Sequence, residues 1–232
     1  MRIYGKNACK EAILKENVRK AYVYKNFKDN YILDLLYQKH IQIVWLTKEK
    51  LDEMEKGNHQ GIIFEVDDYE YGTLDDVIND EIVVILDHLE DPHNLGAIIR
   101  TCDAAGIKNI IISKDRSVRV NSTVMKVSVG CLENVNVVMV SNINTAINKL
   151  KENGFWIIAT DMNGTDFKKI DYSGKIAIVI GNEGSGISNV TRKNSDFIVS
   201  IPMNGKINSL NASVAAALVI YEAVRNRWYT GI

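Results

Sequence analysis

Six short apolar runs in residues 82–232, separated by stretches of helical periodicity, constrain the fold of this chain more than any other feature. Each run is apolar on both faces, as expected of a strand that is covered on both sides. Such strands alternating with helices predict an α/β domain whose mostly parallel sheet has helices on both faces. The runs are Ile82–Leu86, Ile110–Ile112, Val135–Val140, Trp156–Ala159, Ile176–Ile180 and Phe197–Ile201.

Residues 1–66 predict a second, smaller α/β domain. Helical stripes around Ala12 and Leu36 alternate with short strand-like runs, and residues 60–66 end the unit as a strand. Residues 67–81 contain seven acidic residues and no basic one. We interpret this acidic segment as the linker to the larger domain at residues 82–232.

The distribution of charge does not by itself identify a partner. Residues 1–66 and 82–232 each carry a net charge of +3, whereas the whole chain carries −1. A mild basic excess on two domains fits an ordinary solvated surface about as well as it fits RNA binding. The basic stretch Lys114–Ser117, with Arg119 nearby, has the same two interpretations.

Composition excludes several classes of protein. No apolar stretch approaches the ~18 residues that a membrane span needs, and the first ten residues lack the apolar region of a signal peptide. Cys9, Cys102 and Cys131 lie far apart in the sequence, which argues against a disulfide framework or a zinc site. We therefore expect a cytoplasmic protein without a bound metal.

Three loops follow apolar runs and carry the residues best suited to chemistry. They are Asp91–Thr101, Gly181–Gly186, and Ile201–Asn204 with the nearby Ser209–Asn211. Because the carboxyl ends of parallel strands meet at one edge of a sheet, these loops are predicted to converge there.

The first loop leads into a helix that Asp91 or Asn94 can cap. Arg100 lies six residues after Asn94, less than two turns along the helix, so its side chain can reach back toward the loop. An ion pair between Arg100 and a surface carboxylate is an equally good interpretation of this stretch alone.

The second loop argues against NAD and ATP as ligands. Its glycine spacing is not G-x-G-x-x-G, it lacks the Gly-Lys-Ser/Thr ending of a phosphate loop, and Glu183 would repel a pyrophosphate. A glycine loop with one acid suits a ligand that carries a cation or hydroxyl groups, although a plain tight turn stays open.

The third segment begins the final helix. Ser209 is a good N-cap, whereas Asn211 in the first turn has less structural reason to be polar. A Ser/Asn pair beside free helix amides can bind a carboxylate or a phosphate.

The three segments together resemble motifs 1, 2 and 3 of the SpoU (TrmH-type) RNA ribose 2′-O-methyltransferases, in the same order. The residues that carry the resemblance are Asn94–Thr101, Gly181–Gly186, Ile201–Met203 and Ser209–Ala215. Further likeness lies in Tyr4-Gly5 and His59–Ile62, which resemble an N-terminal RNA-binding extension of one branch of that family.

The resemblance implies a fold that sequence rules do not predict. It implies a SPOUT, or α/β-knot, catalytic domain in which the C-terminal end of the chain threads a trefoil knot. It also implies that residues 1–66 form an L30e-like RNA-binding domain, and that the protein is a homodimer with its active sites at the dimer interface.

The resemblance further implies transfer of a methyl group from S-adenosyl-L-methionine to a ribose 2′-hydroxyl of RNA. Arg100 would be the central catalytic residue, and the cofactor would bind near the backbone of the knot. The residues implied around Arg100 are Asn94, Glu183, Ser209 and Asn211, and those implied at the cofactor are Thr160, Gly181, Ile201 and Leu210.

The branch with the N-terminal extension implies a guanosine of 23S rRNA as the substrate. A tRNA guanosine or an rRNA adenosine is the alternative within enzymes. A non-catalytic RNA-binding homologue is the alternative outside them, and the intact Arg100, Glu183 and Asn211 argue against it.

Overall fold

The computed structural model describes residues 1–230, except for the side chains of residue 226 and residues 228–230. The chain forms two compact units, one at Met1–Glu70 and one that begins at Tyr71. Within the described residues, no helix combines the length and the apolar character needed to cross a membrane.

The first unit is the small α/β domain that the sequence predicts. Its four-stranded sheet has the order β1-β4-β2-β3, with β2 and β3 parallel and the other neighbours antiparallel. Strand β1 has only three residues, too few to show a period, so the sequence does not predict it. The elements are β1 (Arg2–Tyr4), α1 (Lys6–Leu14), β2 (Val18–Tyr24), α2 (Asn30–Gln38), β3 (Ile43–Leu46), α3 (Lys48–Met54) and β4 (Ile62–Val66).

The acidic segment 67–81 is divided between the two units and is not a free linker. The backbone N–H of Asp67 donates to the Asn17 carbonyl at 3.0 Å, which holds it to the first unit. The Tyr71 hydroxyl accepts a hydrogen bond from the Val120 N–H at 3.0 Å, and Val77 is fully buried, both in the second unit. The acidic composition therefore reflects only the exposed side chains of this segment. Its backbone hydrogen bonds and the burial of Val77 determine which unit each part packs against.

The second unit contains a six-stranded sheet in which every neighbouring pair is parallel, with the order β10-β8-β9-β5-β6-β7. All six predicted strands are present, which confirms the parallel α/β domain. The elements are β5 (Ile82–Asp87), α4 (Pro92–Ala104), β6 (Asn109–Ser113), α5 (Ser122–Ser128), β7 (Asn136–Val140), α6 (Ile143–Glu152), β8 (Trp156–Asp166), β9 (Ile176–Gly181), α7 (Asn189–Asn194), β10 (Phe197–Ser200) and α8 (Ala212–Thr230).

Helices cover both faces of this sheet. Val83 and Ile85 of β5 belong to a core that contains the apolar side of α6. Val84 and Leu86 alternate with them and are equally buried, so the opposite face is covered as well. Helix α8 contacts α4 and β9. This double cover explains why the strands are apolar on both faces.

The strand order has a reversal between β5 and β9. From β5 the chain adds β6 and then β7 on one side, whereas β8, β9 and β10 lie on the other. In open parallel sheets, ligands bind in the crevice at the carboxyl ends of the strands where the order reverses. The loops after β5 and β9 leave the sheet at this crevice.

Candidate active site

The loop after β9 is closed on itself by Asn182. Its backbone exchanges two hydrogen bonds with Gly186, at 2.9 and 3.0 Å. Its side-chain oxygen accepts from the N–H groups of Gly184 at 2.8 Å and Ser185 at 3.3 Å. The glycine loop is therefore an ordered turn that presents Glu183, which lies between these bonds and is exposed.

Two further bonds attach this loop to the end of β5. The Asn182 amide donates to the His88 carbonyl at 2.9 Å, and the Ser188 N–H donates to a carboxylate oxygen of Asp87 at 3.0 Å. Asp87 is buried, at 1% exposure. We did not predict roles for Asp87 and Asn182, although a charged residue that ends a fully apolar strand is a signal that could have identified Asp87.

One hydrogen-bonded chain of side chains connects all three motifs. Asn94, in the first turn of α4 and only 5% exposed, donates its amide to Glu183. Its carbonyl oxygen accepts from the Asn211 amide at 2.9 Å. The predicted convergence of the three loops is thus present for Asn94, Glu183 and Asn211.

Asn211, and not Ser209, caps the final helix. Helix α8 begins at Ala212, and the Asn211 side-chain oxygen accepts from the N–H groups of Ser213 at 3.0 Å and Val214 at 3.3 Å. Our assignment of the cap to Ser209 was wrong, as was the view that Asn211 has little structural reason to be polar. Ser209 is exposed, and within the described residues its hydroxyl makes no hydrogen bond.

Asp91, one of the two residues predicted to cap helix α4, is its N-cap. Asp91 accepts from the His93 N–H at 2.9 Å, and Pro92 occupies the first helical position. Asn94 is therefore not the cap of this helix, and its side chain bonds to Glu183 and Asn211 instead.

Arg100 lies on α4, exposed, and is not brought to Glu183 by the protomer. Within the described residues it makes neither a hydrogen bond nor an ion pair. The alternative of an ion pair with a surface carboxylate is therefore not observed. A groove of about 680 Å³ lies between α4 and α8. It is lined by Ala97, nearly one helical turn before Arg100, and by the adjacent Thr101.

Three of the four residues that the resemblance assigns to the cofactor lie in or directly after β8, β9 and β10, and the fourth lies just before α8. Thr160 lies on β8 and its hydroxyl donates to the Val179 carbonyl of β9 at 3.1 Å. Gly181 is the last residue of β9, and Ile201 directly follows β10. Leu210 precedes Asn211, and all four residues are half-buried.

The glycines of motifs 1 and 2 allow other parts of the protein to pack closely against them. A Cβ on Gly96 would lie 2.7 Å from the Val127 Cβ, so this glycine allows α4 and α5 to pack closely. A Cβ on Gly181 would lie 2.5 Å from the Ile187 backbone nitrogen, so this glycine allows its own loop to close.

A Gly181→Ala variant should therefore weaken cofactor binding through the loop itself. The added methyl meets backbone at Gly186 and Ile187, which cannot move aside as a flexible side chain would. We expect a stability loss of about 1–3 kcal/mol, as for overpacking elsewhere, and a clearly lower affinity for S-adenosyl-L-methionine by calorimetry. Gly184→Ala is the matched control, because its Cβ would meet only the Asn182 side-chain oxygen at 3.5 Å. Equal affinities for the two variants would contradict this role.

The cysteines and the described acidic residues give no sign of a metal or redox centre. Burial raises the pKa of the Cys102 thiol well above its usual range, so this thiol stays protonated and unreactive. Within residues 1–230, no three His, Cys, Asp or Glu side chains are grouped so that they could hold a metal ion.

Two family models match the chain along most of its length. The model described as the SpoU rRNA Methylase family matches residues 81–221. The chain belongs to this family. The model described as RNA 2′-O ribose methyltransferase substrate binding matches residues 2–72, the first unit of the structure.

Relatives of this SpoU protein are similar over almost the whole chain. A protein of Staphylococcus saprophyticus, named as a member of the TrmH family of tRNA/rRNA methyltransferases, is 41% identical over 99% of this chain and 97% of its own length. The crystal structure of the SpoU methyltransferase AviRb from Streptomyces viridochromogenes, in complex with the cofactor AdoMet, has a TM-score of 0.79. It is 26% identical and covers 99% of this chain and 91% of its own.

A TrmH/SpoU tRNA modifying enzyme of A. aeolicus is similar over a shorter range. It is 31% identical with a TM-score of 0.61, and covers 68% of this chain and 82% of its own. The catalytic residues expected from the resemblance all fall within the matched SpoU methylase range.

Proposed function

We propose that this SpoU-family protein transfers the methyl group of S-adenosyl-L-methionine to a ribose 2′-hydroxyl of RNA, and that its substrate is a guanosine of 23S rRNA. The single observation that carries the proposal is the chain in which Asn94 bonds to both Glu183 and Asn211, since it joins the three motifs in one site. AviRb, which has the same fold over 99% of this chain, binds AdoMet. With this substrate, we expect the protein to act in the cytoplasm.

The residues at the cofactor positions fit this molecule. Ile201 and Leu210 are apolar and half-buried, which suits the faces of an adenine ring. Gly181 and Thr160 lie on neighbouring strands, where backbone groups at a sheet edge can bind polar atoms. When bound, the sulfonium supplies the methyl group.

Arg100 acts as a stabilising cation in this proposal and not as the base. A guanidinium stays protonated in proteins, so it cannot accept the proton of the 2′-hydroxyl. Its planar donors can instead hold the adjacent phosphate and stabilise the negative charge that develops on the 2′-oxygen. Glu183, fixed by Asn94, and the free hydroxyl of Ser209 would orient the ribose.

A homodimer would complete this site. Val214, Leu218 and Tyr221 are 47%, 42% and 43% exposed and follow one another at helical spacing along α8. They line the groove beside α4, the helix that carries Arg100. A second copy packed on this apolar stripe would bring RNA-binding groups to an arginine that has no partner among the described residues. The trefoil knot of the catalytic domain, like the homodimer, remains a prediction from the family resemblance.

Methyl transfer from labelled S-adenosyl-L-methionine to undermodified total RNA tests the proposal, with the labelled nucleotide mapped. Label at a 2′-O-methylguanosine of 23S rRNA is the expected result. Label in tRNA or at an adenosine would support the alternative substrates. Absence of label together with absence of cofactor binding would support a non-catalytic RNA-binding protein.

Removal of the first unit should lower RNA affinity and leave cofactor binding intact. The shortened protein should begin at Tyr71, because the Tyr71 hydroxyl is bonded to Val120 and Gly72 pairs with Val138 in the second unit. Loss of lysine and arginine contacts to phosphate should also make the remaining RNA binding depend less steeply on salt concentration. Filter binding at several salt concentrations measures both effects. Full activity of the shortened protein on rRNA fragments would show that the first unit does not recruit the RNA.

A further inference from the structure

A second polar cleft lies at the carboxyl ends of β9, β5 and β6, where the strand order reverses. Its volume is about 320 Å³, enough for one nucleoside-sized group. None of the residues that the family resemblance assigns to catalysis or to the cofactor lines it. The lining residues are Asp87, His88, Glu90, Arg116, Asn182 and residues 185–188.

Two residues of this cleft are held in a costly backbone conformation. His88 has a φ of 62° and Arg116 a φ of 48°, in the left-handed region that residues other than glycine seldom adopt. The loops that carry them are bonded together, because the Leu89 carbonyl accepts from the Ser117 hydroxyl at 3.1 Å and the Val118 N–H at 2.7 Å. Such strain is concentrated at functional sites, where the surrounding bonds maintain it.

Two charged side chains of the cleft, Arg116 and Glu90, have no hydrogen-bond or ion-pair partner among the described residues. Both are exposed. His88 Nδ1 lies 2.6 Å from a carboxylate oxygen of Asp87. Because a carboxylate only accepts, Nδ1 carries the proton and Nε2 stays available to a ligand.

The cleft is poorly suited to an isolated phosphate. The N–H groups of Gly184, Ser185 and Gly186 already donate to Asn182, and that of Ser188 donates to Asp87. Asp87 and Glu90 supply two carboxylates against one permanently charged cation, Arg116. A neutral, planar group with hydrogen-bond donors on one edge and acceptors on another is the better complement.

We propose that this cleft binds a guanine base of the RNA substrate, with Glu90 and Arg116 as the residues that determine base specificity. The inference rests on the proposed action on a guanosine of RNA and adds the cleft and the residues that select this base. Guanine carries N1–H and N2–H₂ as adjacent donors, which a carboxylate such as Glu90 accepts together. Its O6 and N7 are adjacent acceptors, the pair to which arginine donates most often in base recognition. The His88 ring offers a surface on which the base stacks.

The other bases match this pair of side chains less well. Adenine presents a donor beside an acceptor on each edge, an arrangement that suits an asparagine or glutamine amide. Cytosine offers a carboxylate only one donor group, and uracil one N–H. Guanine alone satisfies both charged groups at once, and a site whose charged groups stay unpaired rejects the wrong ligand strongly.

Binding of single-base RNA variants to the full-length protein tests this inference. The probes are fluorescent U-rich 12-mers with one central guanosine, adenosine or inosine, which lacks the N2 amino group, and anisotropy gives the affinities. We expect the guanosine probe to bind about tenfold more tightly than the adenosine probe, the discrimination typical of one bidentate contact, with inosine between them. Glu90→Gln and Arg116→Met should each remove most of this preference. Asp115→Asn and Arg119→Met are the matched controls, since both residues are exposed on the same loop as Arg116 and do not line the cleft.

Each other outcome has a distinct meaning. An equal affinity of the wild-type protein for guanosine and adenosine probes, or a preference that survives both cleft variants, would overturn the guanine assignment. Equal weakening of all probes by Arg116→Met, with a smaller dependence on salt, would identify a phosphate contact and overturn it as well. Failure of the wild-type protein to methylate any RNA would instead remove the proposed function, which is read from labelled methyl transfer and not from these ratios.

Discussion

Arg100→Ala should lower the rate of methyl transfer to RNA at least about 100-fold, the usual cost of removing one group that stabilises developing negative charge. The affinity for S-adenosyl-L-methionine should change little, because Arg100 lies on α4 and not at the ends of β8, β9 and β10. Folding should be unaffected, since the exposed side chain has no partner among the described residues. Rates with labelled cofactor and calorimetry on the same preparation measure both quantities. Arg119→Ala, which removes an exposed arginine elsewhere on the same unit, is the control.

Arg100→Lys separates two forms of this role. Lysine keeps the charge and loses the planar fork that binds a phosphate through two parallel bonds. If the bidentate contact matters, the lysine variant should stay close to the alanine variant. A lysine variant with a near wild-type rate would show that a single positive charge is sufficient. The proposed bidentate contact of Arg100 with the phosphate would then be wrong.

The strands of the second unit were predictable because burial on both faces leaves a direct trace in the sequence. Val83 and Val84 are equally buried, so no polar residue interrupts the run. The order of the strands, by contrast, could not be predicted from the sequence. That β9 lies beside β5, although almost 90 residues separate them, depends on long-range packing that no local pattern contains. The three-residue β1 is likewise set by its pairing with β4.

The site shows the same division between local and long-range causes. Ser209 and Asn211 are both good N-caps by residue type, and the bond from Asn211 to Asn94 in a distant motif favours Asn211. The acidic composition of residues 67–81 predicted a linker, yet the backbone of Gly72 pairs with Val138. Residue types predicted the candidate residues, whereas contacts between distant segments decide which of them caps the final helix and where the acidic segment packs.

Asn94→Leu should cost both activity and stability, because it removes the centre of the chain that joins the three motifs. The substitution keeps the branched shape of the side chain, and it leaves the Asn211 amide and the Glu183 carboxylate without their partner. Because Glu183 and Asn211 are exposed and can bind water instead, the lost bonds should cost about 0.5–1.5 kcal/mol of unfolding free energy. We expect methyl transfer to fall at least about 100-fold, since Glu183 loses the bond that fixes it and preorganised groups dominate such sites.

Asn109→Leu is the control that separates the two effects. Asn109 is also buried, at 6% exposure, and also bridges a carboxylate and an asparagine, with Asp80 at 2.6 Å and Asn136 at 3.0 Å. It lies at the amino end of β6, the edge of the sheet opposite the candidate site. Urea unfolding should show similar stability losses for both variants, whereas only Asn94→Leu should lose methyl transfer at a temperature where both are folded. Equal losses of activity would mean that the bridge at Asn94 serves the fold alone and that the three motifs do not act through it.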